Sequence, residues 1–178
     1  MIDAAAAAGQ DLIMENIQMI NILLVTLLGA AALRWGAAPE RICAAVLFFV
    51  TLADPLYHLL VGRSTIYGSV DMGHLLIDLG LAATFLGVAL WANRIYPLWL
   101  AAFQLVSVIS HFAREVTEIF PKLAYGIMSY GPYYIILMIL AVGIWRHRTR
   151  VRRYGRYRSW RISSSPLPDR LPTPQPNG

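Results

Sequence analysis

Five long apolar runs, separated by short polar or turn-forming stretches, dominate the chain. The runs cover residues 17–33, 42–62, 72–92, 97–120 and 123–145. A membrane-spanning α-helix needs about 17–25 mainly apolar residues, and each run falls within that range. The pattern predicts an all-α fold, an integral membrane bundle of five transmembrane helices. Four spans, with the first run lying flat on the membrane, is the main alternative, because that run is short and is interrupted by Gln18 and Asn21.

Turn-forming residues set the boundaries between the runs. Gly36 and Pro39 predict a turn between the first two runs, and Pro97 suits the first position of the fourth helix. Pro55 and Pro132 lie inside runs, where a proline removes a backbone hydrogen bond and kinks a helix.

The chain divides into four predicted parts. The predicted parts are a short polar N-terminal segment (1–15), the transmembrane bundle (16–145), an Arg-rich juxtamembrane segment (146–161) and a disordered Pro-rich tail (162–178).

The composition favours lipid over water as the main solvent. Hydrophobic residues make up 57% of the chain and charged residues 14%, with a mean hydropathy of +0.54. Soluble domains carry about 25% charged residues, so charge is scarce here. Cys43 is the single cysteine, which excludes an intrachain disulfide and a thiolate metal cluster.

The charge distribution predicts the orientation of the bundle. The net charge is +5, but residues 146–178 hold nine Arg against one acid, and the rest of the chain is net acidic. Cytoplasmic loops carry an excess of Lys and Arg, so the C-terminus is predicted to be inside and the N-terminus outside. Arg34, Arg41 and Arg94 then lie in inside loops. We interpret the chain as a multi-pass protein of the bacterial inner (plasma) membrane with a cytoplasmic C-terminus.

The juxtamembrane segment is strongly basic. Its eight arginines are Arg146, Arg148, Arg150, Arg152, Arg153, Arg156, Arg158 and Arg161. Basic residues next to a membrane attract anionic lipid head groups, which are therefore the predicted partner of this segment. Interleaved aromatic residues also suit nucleic acid, but the juxtamembrane position already explains the run, so nucleic acid is disfavoured.

Six ionisable residues interrupt the second, third and fourth runs. They are Asp54, His58, His74, Asp78, His111 and Glu115. A charge at the bilayer centre costs about 2.5–3.5 kcal/mol on insertion scales, so such residues usually face a bundle interior. Helix rise places them in two layers of the outer half, with Asp54, Asp78 and His111 deeper. They predict a polar pocket formed by three helices.

The first hypothesis for this pocket is a divalent metal site. His and carboxylate side chains from facing helices can hold Zn, Fe or Cu, and such a metal would serve hydrolysis or redox chemistry. Haem b ranks below a bare metal ion, because a carboxylate one turn from each His would repel the propionates. The sequence assigns no catalytic residue, and whether the protein is an enzyme stays open.

Two other hypotheses compete. Ionisable groups inside spans also form proton relays, which would make the protein a proton-coupled carrier. Alternatively, the polar pairs only join helices, as expected in an accessory or scaffold subunit of a larger membrane complex or in a homo-oligomer. Arg114 and Glu118 are predicted to form a structural ion pair on the fourth helix, where Gln104, Ser107 and His111 continue a polar stripe.

Overall fold

Five α-helices form the part of the chain that the structure describes. The computed structural model describes the backbone of residues 2–61, 72–116, 122–155 and 159–160, with side chains at 16–53, 55–56, 59, 72–111, 131–155 and 159–160. Within these ranges there is no strand, so the predicted all-α class is confirmed. The helices are α1 (Ile2–Trp35), α2 (Ala38–Val61), α3 (Met72–Trp91), α4 (Tyr96–Val116) and α5 (Lys122–Tyr154).

The turn between α1 and α2 is built by three successive local devices. The N–H of Gly36 donates to the carbonyl of Ala32 (2.8 Å) and closes α1. Pro39 occupies the first turn of α2, where its missing N–H costs nothing. The carboxylate of Glu40 accepts the N–H of Ala37 (3.0 Å), which satisfies a donor that the start of a helix leaves open.

Two of the helices extend beyond the predicted apolar runs. α1 begins at Ile2, so the polar N-terminal segment is helical and continuous with the first run. α5 has 33 residues and continues to Tyr154, a length of about 50 Å against a hydrocarbon core of about 30 Å. It ends at Gly155, whose φ of 79° suits a glycine. The first half of the Arg-rich segment therefore belongs to α5.

The helices pack as a ring in chain order. Each neighbours the next, α5 closes the ring against α1, and α2 also contacts α5 across the middle. The largest fully buried apolar side chains come from α2 to α5: Leu47, Phe85, Leu100, Ile136 and Leu140. Val25 adds a buried contact from α1. The core thus lies between the helices along the length of the bundle.

The turns 36–37 and 92–95 lie at one end of the bundle together with residues 145–155 and 159–160, and we call this the tail end. Contacts between the turns and between Trp35 and Arg148 define it. The connections 62–71 and 117–121 lie outside the described residues.

Large apolar side chains cover much of the outer surface. Leu23 and Leu27 on α1, and Leu76 and Leu90 on α3, are each about three-fifths exposed. Two helical segments, Asn16–Trp35 and Met72–Trp91, are long and apolar enough to cross a membrane by length and composition, among the residues described. These features indicate an association with a membrane, and the five spans stay a prediction.

Candidate functional site

The centre of the candidate site is a direct contact between α3 and α4. Nε2 of His111 lies 2.8 Å from Oδ2 of Asp78, a hydrogen-bond distance between residues 33 positions apart. The two helices pack closely along their length, which brings the polar stripe of α4 against Asp78. Two of the six predicted site residues therefore meet.

Gln104 completes the contact on the side of His111 that is nearer the tail end. Its Nε2 donates to Oδ1 of Asp78 (2.9 Å) and lies 3.5 Å from the Asp78 backbone carbonyl. Gln104 is buried, and it lies seven residues before His111 on the same face of α4. Both carboxylate oxygens of Asp78 thus have a partner supplied by α4.

The pair of ionisable side chains is only partly enclosed. The side chains of His111 and Asp78 are 24% and 25% exposed, whereas Gln104 is 3% exposed. Ser107 and Ser110 are also buried, and Ser110 donates to the carbonyl of Ser107 (2.7 Å) within α4. The site is therefore buried at Gln104 and partly open at the Asp78–His111 pair.

The arrangement suits an exchangeable proton. When Asp78 is ionised it can only accept, so Nε2–H of His111 donates to Oδ2 and the Nδ1 position of the ring is left as an acceptor. The low dielectric of a bundle interior strengthens such interactions.

The structure describes the side chains of only some of the remaining predicted site residues. His74 lies on α3, four residues before Asp78, is half-buried and makes contacts of its own. The side chains of Asp54, His58, Arg114 and Glu115 and the whole of Glu118 lie outside the described residues. Within the described side chains, no group of three or more His, Cys, Asp or Glu is placed to hold a metal ion. The six-residue cluster stays a prediction beyond Asp78 and His111.

Near the middle of the ring, α2 and α5 are joined by a hydrogen bond between hydroxyl groups. The hydroxyls of Thr51 and Tyr133 are 3.3 Å apart. Thr51 also donates to the carbonyl of Leu47 (2.8 Å). The ring of Tyr133 meets that of Tyr134 edge to face, with centroids 5.5 Å apart. This contact ties two helices together and assigns no chemistry to the tyrosines.

The tail end holds a buried ion pair that the sequence did not predict. Arg94, in the turn between α3 and α4, pairs with Oε1 of Glu40 in the first turn of α2. The two side chains are 6% and 0% exposed. The sequence analysis counted Arg94 only as a positive charge of an inside loop, and both its burial and its partner come from the structure. A Glu three residues after a turn, at a capping position, was the one available signal for Glu40.

His147 on α5 lies close to this ion pair. The residue is buried, and burial together with the nearby charge of Arg94 lowers the pKa of His147 to about 4. The imidazole is therefore neutral at physiological pH. It places a further titratable group beside the Arg94–Glu40 pair, outside the predicted site.

The arginines of the basic segment have different surroundings. Arg146, Arg150, Arg152 and Arg153 are exposed on the last turns of α5, as a lipid-facing role requires. Arg148 instead lies over the ring of Trp35, 4.1 Å from its centroid, in a cation–π contact. Arg156, Arg158 and Arg161 lie outside the described residues. Contact with anionic lipid stays a prediction for this segment.

Comparisons with known proteins find no relative. No family model matches the chain. No curated protein and no solved structure is similar to it. The fold and the site therefore define only a class of protein. It is an all-α bundle with an apolar exterior and an Asp–His–Gln site between α3 and α4.

Proposed function

We propose that the protein is a multi-pass protein of the bacterial inner membrane, with five spans, an outer N-terminus and a cytoplasmic C-terminus. Each of the five helices has at least 20 residues, enough for a hydrocarbon core of about 30 Å. The basic last turns of α5 lie at the tail end with the turns 36–37 and 92–95, which is where the positive-inside rule places a cytoplasmic face.

We further propose that the Asp78–His111 pair is a site of proton exchange, and that the protein belongs to the proton-coupled carriers. The observation that carries this proposal is the 2.8 Å contact between the two side chains, inside a bundle whose exterior is apolar. Ionisable groups within spans are typical of proton relays. Because Gln104 and His111 already engage both oxygens of Asp78, this carboxylate is oriented toward proton sharing more than toward a metal ion.

Proton exchange can be tested without knowing the transported solute. Infrared difference spectra of the reconstituted protein, recorded across a pH jump, are expected to contain carboxyl and imidazole bands. Asp78→Asn removes the carboxyl band and His111→Gln removes the imidazole band. Ser110→Ala is the matched control, since Ser110 bonds within its own helix beside His111. Identical spectra for all four proteins would contradict the proposal.

Carrier activity is the second step of the same proposal. A pH gradient across vesicles is expected to drive uptake of a small solute by the wild type, and both site variants are expected to lose that uptake. Proton exchange without gradient-driven uptake of any solute in a broad panel would exclude carrier activity. The pair would then be a proton-responsive site of another kind of protein. Stoichiometric co-purification of a larger complex would then favour an accessory subunit.

A divalent metal is the second candidate, and one observation favours it. A carboxylate bonded to one ring nitrogen of a histidine is the arrangement that orients the other nitrogen toward a metal. In this structure Asp78 holds Nε2 of His111, so Nδ1 would be the ligand atom. His74, Asp54, His58 and Glu115 are the proposed further ligands for Zn, Fe or Cu. Such a metal would supply water activation or redox chemistry.

Metal analysis of the purified protein separates this candidate from proton exchange. A metal site predicts about one equivalent of a transition metal, reduced at least severalfold by His111→Ala. A content below about 0.2 equivalents, unchanged by that substitution, would contradict it.

A further inference from the structure

A guanidinium group and an indole ring meet where α5 packs against the C-terminal end of α1. Arg148 of α5 lies over the ring of Trp35, the last residue of α1, with Cζ 4.1 Å from the ring centroid. Trp35 itself is exposed. The ring therefore covers one flat face of the guanidinium, while the edge of the guanidinium, which carries the N–H donors, is left for other partners.

Arg148 has no hydrogen-bond acceptor and no counter-charge within the described part of the chain. Its Nε is buried without a partner. The only acids among the described side chains are Glu40, which pairs with Arg94, and Asp78, which bonds to His111. Because both carboxylates are engaged elsewhere, the charge of Arg148 is not compensated. A partly desolvated cation in this state favours a bound anion.

Capping of α1 does not account for Arg148. Cations often lie at the C-terminal end of a helix, where they compensate its open carbonyl groups. In this structure Arg41 of α2 has that role, because its Nη2 donates to the carbonyl of Leu33 (3.1 Å). Arg148 contacts the ring of Trp35 and no carbonyl of the described residues. Two positive charges thus lie at the last turn of α1, and only that of Arg41 is used by the helix.

An apolar stripe on the outside of α5 leads to Arg148. Met138, Val142 and Trp145 are spaced i, i+4, i+7 and are each about half to two-thirds exposed, so they share one outer face of the helix, and Arg148 follows three residues later. From Met138 to Arg148 the helix rises about 15 Å, the depth of one leaflet of a hydrocarbon core of about 30 Å. This surface is apolar over the length of an acyl chain and ends in an interfacial tryptophan and a cation, which matches the shape of a phospholipid.

We propose that the α1–α5 contact at the tail end binds one anionic phospholipid of the cytoplasmic leaflet. The phosphate accepts N–H donors from the outer edge of the Arg148 guanidinium, which the ring of Trp35 holds in place. An acyl chain lies along Trp145 and Val142. The general attraction of a basic segment to lipid is thereby narrowed to one arginine of that segment and an aromatic partner outside it. The proposal rests on the proposed orientation of the bundle and not on proton exchange at the α3–α4 site.

Native mass spectrometry of the full chain in detergent tests the proposal. Dioleoylphosphatidylglycerol is expected to stay bound as a single adduct, and dioleoylphosphatidylcholine, which has the same acyl chains, to bind about tenfold more weakly. Arg148→Gln is expected to weaken binding of the anionic lipid about tenfold. Arg153→Gln is the matched control, since it removes the same charge from the same helix. Arg153 is exposed and lies about 140° around the helix from Arg148, so this variant is expected to bind like the wild type.

A second set of variants tests the aromatic contact without changing the charge. Trp35→Leu removes the ring beneath Arg148 and is expected to weaken binding of the anionic lipid severalfold, whereas Trp35→Phe keeps an aromatic face and is expected to restore part of the binding. Trp99→Leu is the control, because Trp99 is also exposed but belongs to α4, which does not contact α1 within the described helices. Equal binding by Trp35→Leu and Trp99→Leu would contradict the role of Trp35.

Three further results would overturn the proposal. Equal retention of the two lipids would show that the head group is not recognised. Equal losses from Arg148→Gln and Arg153→Gln would show that the basic segment attracts lipid as a whole, without a defined site. Displacement of the lipid by an excess of glycerol phosphate would show that the site takes a soluble phosphate and that the acyl chain is not recognised. Each result is independent of the infrared test of proton exchange.

Discussion

Arg94 and Glu40, which are 54 residues apart, form an ion pair inside the tail end of the bundle. Glu40 also accepts the N–H of Ala37, so one carboxylate both starts α2 and holds the turn between α3 and α4. The pair makes the tail end a packed polar layer, against which His147 and residues 159–160 are placed.

Loss of one partner of this pair is expected to be costly. Glu40→Gln keeps an oxygen that can accept from Ala37 but leaves Arg94 buried without its counter-charge, and we expect a loss of about 3–5 kcal/mol in the free energy of unfolding. Denaturant titration in detergent, followed by circular dichroism, measures it. The double variant Glu40→Gln/Arg94→Gln is expected to lose less than the sum of the single variants.

The control for this prediction is Arg41→Gln. Arg41 is exposed and donates to the carbonyl of Leu33 (3.1 Å), so its replacement is expected to change stability by less than about 0.5 kcal/mol. Additive losses in the double variant would show that Glu40 and Arg94 are not energetically coupled.

Gly36 is expected to tolerate no side chain. A Cβ added there would lie 2.6 Å from the carbonyl oxygen of Ala32 and 2.8 Å from Cβ of Glu40. Gly36→Ala must therefore shift backbone, at a cost of about 1–3 kcal/mol. Gly29→Ala, where the added Cβ has no neighbour within 4 Å, is expected to stabilise α1 by up to about 1 kcal/mol. If the melting temperatures of both variants shifted in the same direction, the predicted difference between Gly36 and Gly29 would be refuted.

Acid is expected to destabilise the tail end through His147. The pKa of His147 is lowered from 6.5 to about 4, first by burial and then by Arg94. As the pH falls from 6.5 toward 4 the unfolded chain binds a proton that the folded chain excludes, so the free energy of unfolding decreases. Below that window both states are protonated and the loss is complete.

The measurement is the difference between the wild type and His147→Gln in thermal stability across this pH range. Carboxylates titrate in both proteins, so the difference isolates His147. The variant is expected to show the shallower decline, and parallel curves would rule out a contribution from His147.

Gln104 is expected to affect stability and the state of the site through its hydrogen bond to Asp78. Gln104→Leu keeps the volume of the side chain but removes the donor to Oδ1, and losing this part-buried hydrogen bond is expected to cost about 1 kcal/mol. The same variant is expected to alter the carboxyl band in the pH-jump infrared spectrum. Thr84→Ala removes a hydroxyl that bonds within its own helix, and both readouts should change little. A carboxyl band unaltered by Gln104→Leu would show that Gln104 does not influence the Asp78 carboxyl group.

The class of fold and several helix ends could be predicted from local sequence. Unbroken apolar runs predict helices, because a backbone in lipid must satisfy its own hydrogen bonds. Gly36 and Pro39 mark the observed turn between α1 and α2, and Pro97 lies in the first turn of α4. The length of α5 could not be read in this way, because its last turns are basic and exposed while the prediction followed hydropathy.

The sequence by itself determined that the protein is all-helical, that its exterior is apolar and that Asp78 and His111 interrupt apolar helices. Those properties depend on neighbours in the chain. The tertiary structure decided which polar side chains meet: Asp78 with Gln104 and His111, and Arg94 with Glu40. Such pairs depend on the register and rotation of packed helices. The partners are 26 to 54 positions apart, and sequence spacing over that distance does not specify either quantity. For that reason the sequence placed Arg94 in a loop, and only the structure assigned its buried partner.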